Sequence, residues 1–137
     1  MPTRTFPGRF ASLAAIRDFV GKLAAQAGLS KKGVYEVQLA VDEACSNIIE
    51  HGYGEDRTGE IECLCVIDPD GLTIKLRDWA PPFMPDEVLE PDLTIPLENM
   101  KTRGAGLVLI HKIMDQVVYE DNPGNGNLLT LVKFKKP

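Results

Sequence analysis

Between residues 60 and 77 the chain alternates apolar and polar side chains twice, with Asp68-Pro69-Asp70-Gly71 between the two runs. Ile61, Cys63, Cys65 and Ile67 share one face of the first run, and residues 72–77 repeat the pattern. Period-two alternation marks a strand, and a Pro-Asp-Gly sequence is where such a chain reverses. The segment is therefore predicted to be a β-hairpin. So short a link cannot carry a parallel crossover, so the sheet built on it contains antiparallel pairing.

The rest of the chain supplies helices and a second hairpin. Residues 3–10 read as an edge strand or lead-in, because Pro7 and Gly8 keep them out of a sheet centre. Ser12 is placed as an N-cap for a helix over about 13–27, with Ile16, Phe19, Val20 and Leu23 at helical spacing and Gly28 ending the run. Leu13 and Ile16 suit a core or an interface equally. A second helix, capped by Ser30, is predicted to reach about residue 50 before Gly52 and Gly54. Its apolar stripe is Val34, Val37, Val41, Cys45 and Ile48. Glu36, Glu43 and Glu50 recur every seven residues roughly opposite that stripe, and Glu36 and Glu50 read as a solvated face. From 79 to 103 regularity fades among prolines 81, 82, 85, 91 and 96. A connection this long within a compact domain is usually functional or disordered. Gly104-Ala105-Gly106 then opens a helix over about 105–115, and strands over 116–121 and 127–135 flank an Asn122–Gly126 turn. This order predicts an α+β two-layer sandwich, a mixed or antiparallel sheet covered on one face by about three helices.

Composition bounds the function. A chain of 137 residues is read as a single domain, 1–137. Its net charge of −5 speaks against direct nucleic-acid binding. Cys45, Cys63 and Cys65 all lie in apolar runs and read as reduced, buried side chains. No secretory segment is apparent, and no apolar stretch approaches the ~20 residues that span a bilayer, so a cytoplasmic protein without membrane contact is expected.

Three constellations carry chemistry. Glu43 and Asn47 stand one turn apart on one helix face. A carboxylate there can take a proton from an attacking hydroxyl, and an amide oxygen is a hard ligand suited to Mg²⁺. Asp78 ends a predicted strand, where it can accept a hydrogen bond from an exocyclic amine such as adenine N6. Gly104-Ala105-Gly106-Leu107 stands at a helix start, where glycine allows close approach and free N–H groups favour phosphate. Lys101 and Arg103 add positive charge. His111 reads as structural or exposed, His51 more readily as structural than as a functional neighbour of phosphate, and Tyr53 and Trp79 as packing or interface residues.

In this order and on these elements, the set resembles the GHKL ATPases. Glu43–Asn47 is similar to their N box, Asp78 to the aspartate of their G1 box, Gly104–Gly106 to their G2 box, and 84–103 to their ATP lid. Glu-x-x-x-Asn followed by His-Gly-Tyr, and Asp-x-x-Pro-Pro-Phe, resemble the anti-sigma factor serine kinase branch. The resemblance implies a Bergerat-type fold binding ATP and Mg²⁺. Asn47 would hold the metal and Asp78 the adenine beside Ala80, with Lys101, Arg103, Gly104, Ala105, Gly106 and Leu107 around the phosphates, and Thr130 also at the nucleotide. Glu43 would be the base acting on a serine of a STAS-domain anti-anti-sigma partner. It further implies a sequestered sigma factor and a homodimer. Ala80 stands where the first G1 glycine is usual, Thr102 where the kinases often carry Arg, and Asn127 where Thr often follows Gly126. These departures admit a non-catalytic, nucleotide-sensing module as the alternative, and an ATPase half acting on a histidine of another chain as a third.

Overall fold

The computed structural model describes residues 2–53, 59–81, 102–122 and 124–135. Its strands are β1 (Thr3–Pro7), β2 (Glu60–Asp68), β3 (Gly71–Asp78), β4 (Gln116–Asn122) and β5 (Gly126–Phe134). They form one sheet in the order β1-β2-β3-β5-β4, with every neighbouring pair antiparallel. The predicted hairpin is there, with Asp68 opposite Gly71 and Ile61 opposite Asp78. β1 lies at one edge, as its proline requires.

Alternation decides which side chains meet the helices. On β2, Ile61, Cys63 and Cys65 are fully buried, as are Leu72, Ile74 and Leu76 on β3. Burial pushes the Cys45 thiol well above the usual range, and the Cys63 thiol is raised first by its hydrogen bond with Cys65 and then by burial, so both stay protonated.

Three α-helices cover that face: α1 (Leu13–Gln26), α2 (Lys31–Asn47) and α3 (Thr102–Ile113). α2 packs against both α1 and α3. Ser30 caps α2 as predicted, its hydroxyl accepting from Gly33 N–H at 3.1 Å. Ser12 holds the N-cap position of α1 as predicted but makes no side-chain capping bond; it ends a 3₁₀ turn (Phe10–Ser12) that leads directly into the helix. Ile16 is core, 1% exposed, and Leu13 packs against that core.

Three expectations are corrected. The α-helical part of α2 stops at Asn47, and a π turn runs from Ile48 to Tyr53, through Gly52 rather than ending at it. α3 begins at Thr102, so the 104–106 glycine segment lies inside its first turns instead of preceding them. Glu36 is not on a solvated face: its carboxylate pairs at 3.2 Å with Lys133, a β5 residue 5% exposed whose ammonium also donates to the Ile113 carbonyl at the end of α3. Gly54 and the 84–101 segment lie outside the described residues.

The elements share a direction. Asn47, Asp78, Gly126 and the start of α3 lie at one end of the sandwich. At the other end are the hairpin turn and both ends of the described chain: Pro2 O accepts from Cys65 N–H, and Lys135 N–H donates to Asp70 O. Among the described residues, no helix is long and apolar enough to cross a membrane.

Candidate nucleotide-binding site

α2 and α3 bring two of the three constellations together. A β-carbon added to Gly106 would lie 2.9 Å from Glu43 Oε2 and 3.4 Å from Asn47 Nδ2. Only a side chain of hydrogen lets α3 approach the Glu43–Asn47 face so closely. Asn47 is 8% exposed, and its Nδ2 has no hydrogen-bond partner among the described residues. A buried amide rarely goes unpaired, and such an exception calls for an explanation such as an ion or ligand. Leu107 is buried beside this contact but lies outside the main hydrophobic cluster.

Asp78 lies on the helix-facing side of the sheet, 6% exposed. Its Oδ1 accepts from Ala80 N–H at 3.0 Å and from Asn127 Nδ2 at 2.9 Å, and the same amide nitrogen donates to Ala80 O at 2.9 Å. Ala80 is thus part of the Asp78 turn, 8% exposed. The Asp78 and Asp42 carboxylates raise the Cys45 thiol further after burial has done so, which sets Asp78 near the last turn of α2. Asp42 itself points outward, paired with Arg17 at 3.2 Å.

Thr130 does not join this group. It pairs with Lys75, while Asp78 pairs with Asn127, three residues earlier on β5. Side chains an odd number of residues apart point to opposite sheet faces. Thr130 therefore faces away from the helices, and Asn127 stands in the position expected of it. Asn127 was legible only as a departure after Gly126; its role follows from the cross-strand register. Gly126, at φ +80°, permits the turn, and a β-carbon there would fall 2.4 Å from Asp78 O.

The backbone of Arg103, Gly104 and Ala105 is in the first turn of α3, whose N–H groups have no intrahelical acceptors and suit an anion. Lys101 lies outside the described residues. His111 is half-buried, its Nε2 without a hydrogen-bond partner among the described residues. Tyr53 is buried and Trp79 half exposed.

An antiparallel sheet under three helices, with an acid at a strand end, a Glu–Asn pair on the middle helix and a glycine contact from the third, defines a class of ATP-binding domain. The chain belongs to the histidine kinase-like ATPase domain family, matching its model over residues 6–133. Within that family it is similar to the serine-protein kinase RsbW of Bacillus cereus (strain AH187), 30% identical over 128 residues that cover 90% of this chain and 79% of the relative. RsbW proteins of Bacillus thuringiensis subsp. konkukian (strain 97-27) and Bacillus mycoides (strain KBAB4) match to the same extent. The fold is also that of a solved Mycobacterium tuberculosis structure containing RsbU and RsbW domains: TM-score 0.62, 14% identity, covering 100% of this chain and 34% of that one.

Proposed function

We propose that the protein is an ATP-dependent protein serine kinase and anti-sigma factor. It phosphorylates a STAS-domain anti-anti-sigma partner, sequesters a sigma factor and acts as a cytoplasmic homodimer. The observation that carries this reading is the buried, unpartnered amide nitrogen of Asn47, a donor set against Gly106 and one turn from Glu43. Asn47 Oδ1 is the hard oxygen that would hold Mg²⁺, which takes few protein ligands and keeps several waters, while the unpartnered Nδ2 is a donor suited to a phosphate oxygen. When bound, the ion offsets charge on the transferring phosphoryl group.

The chain's own residues do the remainder. The Asp78 carboxylate accepts from the purine's exocyclic amine, with Asn127 and Ala80 N–H fixing its orientation. The first turn of α3 directs backbone N–H groups at the phosphates. Glu43 receives the proton of the partner's serine hydroxyl. The RsbW relatives, named as serine-protein kinases, support phosphotransfer to serine.

The test is incubation with radiolabelled ATP, Mg²⁺ and a STAS-domain protein from the same genome. Wild type is expected to give acid-stable phosphoserine, and Glu43→Ala to give none while still binding nucleotide. Equal labelling by both proteins rejects Glu43 as the base. No labelling by either, despite tight nucleotide binding, replaces the kinase with a nucleotide-sensing module. Acid-labile label points to a histidine acceptor.

A further inference from the structure

The β2–β3 ladder ends at Ile61 opposite Asp78, and one more step of the register sets Glu60 opposite Trp79. The rung there would run from Trp79 N–H to the Glu60 carbonyl. A tyrosine hydroxyl is inserted instead. Trp79 N–H donates to Tyr53 Oη at 2.9 Å, and that hydroxyl donates to Glu60 O at 2.6 Å. Two bonds in series replace one, so the strands are held apart immediately after Asp78. There the chain leaves the sheet and turns back to place Ala80 N–H on the Asp78 carboxylate.

The ring is fixed as firmly as the hydroxyl. Tyr53 is 5% exposed and lies against Gly8 and Gly59, where added β-carbons would come within 2.8 and 2.1 Å of it. It is also the last residue of the π turn that begins directly after Asn47. One six-residue turn thus ties the helix end carrying Asn47 to the strand end carrying Asp78.

We propose that Tyr53 is a positioning residue for base selectivity, its hydroxyl setting the separation of β2 and β3 that aims the Asp78 carboxylate at the purine. This rests on reading Asp78 as the purine's acceptor. Removing the hydroxyl alone lets Trp79 N–H close directly onto Glu60 O and draws Asp78 and Ala80 toward β2.

The experiment compares wild type, Tyr53→Phe and a variant with 4-aminophenylalanine at position 53. Binding of ATP, GTP and inorganic tripolyphosphate is measured by calorimetry with Mg²⁺. Tyr53→Phe is expected to bind ATP about five- to tenfold more weakly and to lose a similar factor of its ATP-over-GTP preference. Its tripolyphosphate affinity is expected to stay unchanged. The amino variant keeps a donor for Glu60 but offers Trp79 a poor acceptor, so it should fall between the two. It also supplies the reading if the Phe variant does not fold. An unchanged ATP-to-GTP ratio overturns the proposal, and so does an equal loss for all three ligands, which marks a merely structural role. Asp78→Asn, with Tyr53 intact, separates the premise. If wild type shows no preference for ATP, or Asp78→Asn leaves it untouched, the purine reading of Asp78 fails first.

Discussion

Gly106 and Gly126 are the two positions where one methyl group decides the site. At Gly106 the added carbon meets a flexible carboxylate, so Gly106→Ala should fold and displace Glu43 rather than unfold the helix pair. Phosphotransfer is expected to drop by two orders of magnitude or so, the scale on which misplaced catalytic groups act, with melting temperature changed little. Single-turnover assays alongside thermal melts check this. At Gly126 the added carbon meets backbone, 2.4 Å from Asp78 O, and the residue sits at φ +80°. Gly126→Ala is therefore expected to cost roughly 2 kcal/mol or more of stability, read from denaturant midpoints. Asn127 illustrates what linear motifs conceal. The resemblance implied Thr130 at the nucleotide, but strand alternation turns it to the opposite face and gives the Asp78 contact to Asn127.

Among the elements, the strands and helices were legible because their signals are local. Alternation in 60–67 and 72–77, and three- and four-residue spacing along α2, need no knowledge of partners. The π turn over Ile48–Tyr53 has no such local signature, and neither does the cross-element ion pair of Glu36 and Lys133. A lysine in a terminal strand reads as exposed until the register turns it under α2 and the end of α3. Lys133→Met leaves the Glu36 carboxylate half-buried without its cation. It is expected to cost about 2 kcal/mol, below the range for a fully buried pair because Glu36 keeps some water. Adding Glu36→Gln should recover part of that loss, and the double-mutant cycle measures the coupling. The same cluster joins α2, α3 and β5 at the end away from Glu43, so nucleotide affinity should be less affected than stability.

For the molecule as a unit, two thiols and one phenol buried in the core set an alkaline limit. Cys45 and Cys63 are raised above their ordinary 9.0 and Tyr53 above its ordinary 10.0. Above those values the unfolded chain has released protons that the folded one retains. Stability is therefore fully present below about pH 9 and is lost as the pH rises beyond it. Urea denaturation at pH 7.5 and 10 should show a lower midpoint at the higher pH, and Cys45→Ala should reduce that difference. Neutral pH should reveal no dependence from these groups. Pro2, anchored to Cys65 on β2, and Lys135, anchored to Asp70 in the hairpin turn, have a separate consequence. A fluorophore, surface tether or fused reporter attached at either position would project from the side opposite the pocket. Force applied between those two points would load β1 and β5 first and reach the ligand cleft last.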